Sequence, residues 1–395
     1  MGGISTRHAS ECFLSGTDAA FDTGRRGMKI QVWDYKKEYA AHQKDILRLV
    51  DEVFRSGRLV LGESVREFEQ AFSAYCDSNY GVGVNSGTDA LFLALKALGI
   101  GAGDEVITVA NTAVPTVSAI MSAGGIPRFV DVKSDTYLMN VDQLEQALTP
   151  KTKCILPVHL YGQCVNMSQI MKFSKKHSLS VLEDCAQSTG ALFEGKKSGC
   201  LGDVGAFSFY PTKILGGYGD GGMVVTQDET ISDKVRRLRM YGMEGQYYSI
   251  ENGYNSRLDE VHAKILSFKL QSLEGYVIRR RQLAETYQQE LGGSGLILPE
   301  VAEGNYHAYY LYVVRHPDRD TIIDELKKQN IFLNISYPWP IHTMRGYSSL
   351  GYKNGDLPVS EALAREIFSL PMYPTLTEDE QGQVCKVIKT ILGSN

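Results

Sequence analysis

Between Tyr80 and Thr226 the chain repeats one alternation, a short β-branched or apolar run followed by a stretch whose apolar residues recur at helical spacing. The runs are Gly81–Val84, Glu105–Val109, Arg128–Val132, Cys154–His159, Ser180–Glu183, Gly205–Phe209 and Met223–Thr226. Between them Leu91, Ala94, Leu95 and Leu98 share a helical face, as do Val117, Ile120 and Met121, and Val141–Ala147 adds a short helix. Few folds accept this pattern. Strands this continuously apolar need cover on both sheet faces, so the alternation predicts an α/β domain around one mostly parallel, seven-stranded sheet.

After Thr226 the character changes. A basic helix (Ile231–Met240) and a Tyr- and Gly-rich loop (Tyr241–Tyr254) lead into one long connecting helix over 258–291, with Leu266, Leu270 and Leu273 on one face. Gly292-Gly293-Ser294-Gly295 closes it. The remainder reads as strand (Tyr309–Val314), helix (Arg319–Gln329), strand (Ile331–Ile335), a Pro-rich loop and two helices (Ser360–Phe368 and Glu378–Leu392), a smaller C-terminal α+β domain. The expected division is a large domain with an N-terminal arm over 28–257, the connecting helix, and the small domain over 292–395. Residues 1–27 lack the apolar core of a signal peptide and precede Met28, and are expected to be a disordered leader.

Charge and cysteine usage narrow the partners. Lys plus Arg number 41 against 46 Asp plus Glu, a net of −5, and no basic run exceeds Arg279-Arg280-Arg281. A protein that neutralises nucleic-acid phosphates needs a basic surplus, so a small molecule or another protein is expected instead. The seven cysteines are scattered without a Cys-x-x-Cys pair, which supports neither a disulfide framework nor a zinc site and fits a reducing, cytoplasmic setting. No apolar stretch approaches the roughly 18 residues of a membrane span.

Three segments can carry chemistry together. Lys213 follows an apolar strand in Ser208-Phe209-Tyr210-Pro211-Thr212-Lys213 and precedes a glycine-rich stretch ending at Gly222. A lysine held there away from bulk water has its pKa lowered by desolvation, which makes the amine available for Schiff-base chemistry. Asp184 closes the strand of Val181-Leu182-Glu183-Asp184, at the carboxyl edge where open sheets bind ligands. An acid there can bond a protonated pyridine nitrogen, or merely cap a helix. Asn85-Ser86-Gly87-Thr88-Asp89 opens a helix whose free N–H groups suit a phosphate, or an ordinary N-cap. The Gly217-x-Gly219-x-x-Gly222 spacing matches a dinucleotide fingerprint but leads into a strand, so a Rossmann site is rejected.

In that order, phosphate turn, strand-end Asp and post-strand Lys resemble the aspartate-aminotransferase-like, fold type I enzymes that use pyridoxal 5′-phosphate. Ser86–Leu91, Pro157-Val158-His159-Leu160-Tyr161-Gly162, Glu183-Asp184-Cys185-Ala186-Gln187, Ser208–Lys213, Gly219–Gly222 and Asn255-Ser256-Arg257-Leu258 narrow the resemblance to the nucleotide-sugar aminotransferases of the DegT/DnrJ/StrS family, from about Ile30 to the C-terminus. The resemblance implies that Lys213 is the Schiff-base lysine, Asp184 the pyridinium partner, and Gln187 the residue beside the ring and its phenolic oxygen. Gly87, Thr88 and Ser208 are then phosphate binders. Asn255 is similar to a residue that reaches the phosphate from the neighbouring subunit, implying a homodimer with two shared active sites, and the Asn255-x-Arg257 segment is expected on the far side of its own large domain. Arg257, Tyr210 and His342 are implied substrate binders, Arg257 as a carboxylate or phosphate clamp. No metal is expected.

Two positions depart from the pattern. Ala113 stands where the family usually carries an aromatic that stacks on the cofactor ring, so either another side chain covers the ring or that face opens toward substrate. Tyr337-Pro338-Trp339-Pro340-Ile341-His342 resembles the Y-P-x-P-x-H loop of members acting on 3-keto sugars, which usually continue Leu-Gln where this chain has Thr343-Met344. The implied activity is amino transfer from glutamate to a nucleotide-linked keto-hexose, a dTDP-linked 3-keto-6-deoxyhexose. Amination at C4, a sugar dehydratase and a non-catalytic regulator remain as alternatives.

Overall fold

In a computed structural model, residues 29–393 are described; the expected leader lies outside them. The seven strands form one sheet: β1 (Tyr80–Val84), β2 (Glu105–Val109), β3 (Ile126–Val130), β4 (Thr152–Ile155), β5 (Ser180–Asp184), β6 (Val204–Ser208) and β7 (Gly222–Thr226), in the order β1-β7-β6-β5-β4-β2-β3. Only β7 runs antiparallel to its neighbours. β4 stops at Ile155, short of the expected His159, because Pro157 has no N–H for the ladder, although Leu156 N–H still reaches the Ile107 carbonyl (2.8 Å). The longer helices of this part are α1 (Tyr35–Ser56), α2 (Glu63–Tyr75), α3 (Gly87–Ala97), α4 (Val114–Ser122), α5 (Met167–His177) and α6 (Glu229–Leu238), and the expected short helix is a 3-10 turn at Val141–Gln143 running into one helical turn at Leu144–Ala147.

β1 lies at the sheet edge, where unpaired backbone groups invite strand addition. Side chains occupy them here: Gly83 N–H donates to Glu69, while Arg236 and Arg239 donate to the Gly81 and Gly83 carbonyls and to the same Glu69 carboxylate.

The expected single helix over 258–291 is two helices, α7 (Glu260–Leu270) and α8 (Leu273–Leu291). Ser272 leaves helical geometry at φ −101° and ψ 0°, yet Leu266, Leu270 and Leu273 keep their spacing through the break. Periodicity alone therefore did not reveal it. The first turn of α7 does a second job. Glu260, buried, accepts from the N–H groups of Gly62 (2.6 Å), Ser64 (2.9 Å) and Val65 (3.1 Å), capping α2, whose own Gly62 has no side chain to do so. Glu260→Ala is expected to lower stability by about 2–4 kcal/mol, since three buried N–H groups lose a charged acceptor. A urea midpoint equal to that of the parent would refute this.

The smaller unit contains α9 (Arg319–Lys328), α10 (Pro358–Glu366), α11 (Glu378–Ile391) and an antiparallel pair, β8 (Tyr312–Arg315) with β9 (Ile367–Leu370). β9 occupies the end of what the sequence suggested was helix. β8 begins three residues late because Tyr309 sits at φ +50°, outside strand geometry. Of the expected Ile331–Ile335 strand, Ile331–Phe332 pairs in parallel with Ile30–Gln31 of the N-terminal arm, and Asn334 bridges to Ser369 of β9. Tyr287, Tyr312, Phe368 and Val384 centre a core separate from that of the seven-stranded sheet. Asp131, just past β3, joins the two units by accepting from Val359 N–H and from Ser360 N–H and Oγ at the start of α10.

Candidate active site

The carboxyl ends of β1, β5 and β6 meet at one edge of the sheet, joined there by the start of antiparallel β7. Their convergence is tight. A Cβ on Gly87 would lie 2.6 Å from Ser208 Cβ, and one on Gly222 would lie 2.2 Å from the Ser86 carbonyl oxygen, so neither position admits a side chain. Ser86 caps α3 through Asp89 N–H (3.1 Å), leaving Gly87 and Thr88 in the first turn beside Ser208. This is a helix N-terminus with close backbone and hydroxyl neighbours, the arrangement that holds a phosphate.

Asp184 ends β5 and is only 4% exposed. Its Oδ2 accepts from Thr116 Oγ1 (2.8 Å) and its Oδ1 from Ala186 N–H (3.1 Å). Thr116 is in turn bonded to Thr112 (2.8 Å). Burial raises the carboxyl above its ordinary range, while those two bonds and the charge of Lys213 oppose the rise. Among the described residues no cationic side chain forms an ion pair with it.

Lys213 follows β6 in a tight turn, with its N–H on the Tyr210 carbonyl (2.9 Å) and Gly217 N–H on that of Phe209 (2.8 Å). Its Nζ lies 4.6 Å from the centroid of Tyr310, and it has no carboxylate partner among the described residues. Tyr310 is fixed by a hydroxyl bond to Thr212 (2.9 Å). Neither Tyr310 nor Thr116 was a sequence candidate, because only the fold brings 310 to 213 and 116 to 184.

Gln187 is buried three residues beyond Asp184. Its Oε1 accepts from Tyr161 N–H (2.8 Å) and its Nε2 donates to the Tyr337 hydroxyl. His159 and Glu183 lie beneath this layer. His159 Nδ1 accepts from Val165 N–H (3.2 Å), so Nε2 carries the proton and bonds Glu183 (2.8 Å), which also receives Gly199, Leu201 and Gly202 N–H. With Cys185 these side chains form a compact metal-like group, but both ring nitrogens and both carboxylate oxygens are already engaged. It is a structural lock on the end of β5.

The expected substrate residues divide. Tyr210 is exposed beside Lys213 and free to meet a ligand. Arg257 rests Nη1 on Met240 Sδ (3.2 Å) and its guanidinium 5.8 Å from the Tyr241 ring, with no acidic partner among the described residues. His342 does not face a site as expected: its side chain is fully buried, with Nε2 on Glu361 (3.0 Å), because Ile341 beside it packs into an apolar cluster with Ala110, Val117 and Phe129. The Asn255 segment is not on the far side of its own domain either. Ser256 Oγ donates to Asp89 (2.7 Å) and accepts from Asn85 N–H (3.1 Å) at the start of α3, while Asn255 is exposed. Ala113 brings no ring to the site, and the Tyr161 and Tyr337 rings stack on each other, 6.2 Å apart at 15°.

Known proteins resemble this chain in sequence and in fold. The chain is 51% identical over 371 residues, 92% of its own length and 99% of the other's, to a dTDP-3-amino-3,4,6-trideoxy-alpha-D-glucose transaminase of Micromonospora megalomicea. It is 43% identical to a pleiotropic regulatory protein of Geobacillus stearothermophilus, covering 91% of this chain and 98% of that one. Among solved structures, DesV of S. venezuelae in complex with a ketimine intermediate superposes with a TM-score of 0.92 at 36% identity, covering 93% of this chain and all of that one. NtdA of Bacillus subtilis with bound PMP gives 0.84 at 30% identity over 90% of this chain and 82% of the other. The DegT/DnrJ/EryC1/StrS aminotransferase pattern matches residues 40–389, and the chain belongs to that family.

Proposed function

We infer that the protein transfers an amino group from glutamate to the ketone of a nucleotide-linked hexose, with pyridoxal 5′-phosphate as cofactor. One observation carries this reading: a buried acid, Asp184, and a lysine, Lys213, close enough to act on each other yet neither in an ion pair among the described residues, stand at the edge that holds the glycine-lined helix terminus. Asp184 suits a protonated ring nitrogen, Gly87, Thr88 and Ser208 suit the phosphate, and Gln187 suits the ring oxygen. When bound, the cofactor supplies an electron sink for charge developing at the donor's Cα. Lys213 holds it between turnovers, takes the proton from the donor's Cα, and in the second half-reaction delivers a proton to the sugar carbon. Asp184, shielded from water, keeps the ring cationic throughout. Tyr210 gives the hexose an apolar face and a hydroxyl at the mouth.

The dTDP-linked 3-keto-6-deoxyhexose is the acceptor favoured by the relatives' named activity and by the Tyr337–His342 loop. Purified protein with glutamate and paired 3-keto and 4-keto sugar nucleotides is expected to convert the 3-keto isomer to an amine, read by mass spectrometry. Conversion of the 4-keto isomer alone moves the reaction to C4. No amine from any ketosugar would favour a cofactor-binding regulator, the reading that the Geobacillus relative's name supports.

A homodimer completes the site in this reading. Asn255 is exposed, and Leu59, Val60, Tyr241, Tyr247, Tyr248 and Ile250 are exposed on loops linked to its segment by the Val60–Asp259 and Met240–Asn255 bridges. An apolar surface of that kind marks a contact with a second copy. Six unpaired cysteines among the described residues suit a reducing compartment such as the cytoplasm, and no helix there is long and apolar enough to cross a membrane.

A further inference from the structure

We propose that Tyr337 is a positioning residue that steadies the Gln187 side-chain amide in the direction set by the Tyr161 N–H, and through it the charge state of the Lys213–cofactor linkage; this rests on the cofactor reading above. Tyr337 comes from the Pro-rich loop of the smaller unit, not from the sheet. It adopts φ +65°, a left-handed conformation unusual for an aromatic residue, immediately before Pro338, which normally pushes its predecessor toward extended geometry. A backbone outlier of this kind persists where its surroundings hold it, and such outliers concentrate at functional sites.

The Tyr337 hydroxyl meets the Gln187 amide. Tyr161, also left-handed at φ +59°, gives its N–H to Oε1, and that fixes Nε2 toward the Tyr337 hydroxyl. Reversing the amide would set donor against donor at Tyr161. One N–H of Nε2 and the Tyr337 hydroxyl proton remain uncommitted among the described residues, next to Asp184. The Tyr337 ring keeps some exposure but its hydroxyl sits deep, where burial first, then Tyr310 and Asp184, push its ionisation far above the ordinary range.

The expected consequence has a sign. A steady amide N–H on the cofactor's ring oxygen draws electron density from the atom on which the protonated linkage leans, and so lowers the pH at which the linkage loses its proton. Tyr337→Phe keeps the ring and the stack on Tyr161 and removes only the hydroxyl. In the reconstituted holoenzyme, the absorbance midpoint of the Lys213–cofactor linkage should rise by about 1 pH unit, the scale of one hydrogen bond. Trp339→Phe on the same loop, 55% exposed, and Tyr161→Phe, whose hydroxyl is unbonded, should leave the midpoint where it is. A Tyr337→Phe midpoint equal to that of the parent, or an equal rise in all three variants, would overturn the assignment. A parent protein with no pH-sensitive cofactor band would instead remove the cofactor reading, and this inference with it.

Discussion

Lys213→Ala is expected to abolish turnover, with a fall of about 10⁴-fold or more, because one side chain both holds the cofactor and moves the proton. Borohydride treatment of the parent should add the cofactor's mass to the chain, and treatment of the variant should not. The fold should survive: Lys213 is half-buried and has no ion pair among the described residues, so its removal is expected to shift stability by less than about 0.5 kcal/mol. The same variant tests the shared site. In a hybrid dimer of Lys213→Ala with Asn255→Ala subunits, a trans arrangement leaves one site with its own Lys213 and an intact Asn255 from across the interface. Such hybrids should recover about half the parental activity. If Asn255 serves the phosphate of its own chain, that site is damaged, the other lacks its lysine, and mixing recovers nothing.

The places of Lys213 and Asp184, past β6 and at the end of β5, were legible from sequence for the same reason that the sheet was. Val181-Leu182 and Gly205-Ala206-Phe207 are apolar runs buried in the sheet, and a charged residue where such a run stops has few roles. The helices α1 and α2 were also signalled, though unread: Asp34 caps α1, Ile46, Leu49 and Val53 form its buried stripe, and Gly57 ends it at φ +69°. Other features belong to tertiary structure alone. No local signal distinguishes a loop histidine facing a sugar from His342 turned onto Glu361, since the choice depends on where Ile341 packs. Tyr337 carried a motif, but its contact with Gln187 spans 150 positions and needs the smaller unit to dock. The break at Ser272 was hidden because leucine spacing records which face is buried, not whether the backbone is continuous.

Asp184→Asn separates a catalytic acid from a helix cap, because the two roles respond to pH in opposite ways. Burial holds the Asp184 carboxyl above its ordinary value, so the folded protein without cofactor binds this proton more tightly than the unfolded chain does. That contribution to stability is fully present below the unfolded pKa of about 3.9 and is lost as pH rises through the raised native value. Asparagine has no proton to lose and retains an oxygen for Thr116 or Ala186. The cofactor-free variant should therefore be at least as stable at neutral pH as the cofactor-free parent, with a flatter decline in stability above about pH 4. Adding the cofactor reverses the order. A ring cation placed against an ionised, water-shielded carboxylate gains what bulk water would screen, so the parent should be stabilised on binding much more than the variant. Turnover should fall on the order of 10³-fold in Asp184→Asn, because the neutral amide no longer favours the protonated ring that accepts the developing charge. A variant that is destabilised without cofactor yet turns over at the parental rate would make Asp184 a cap for Ala186 and Thr116, and the acid at the end of β5 would have to be sought elsewhere.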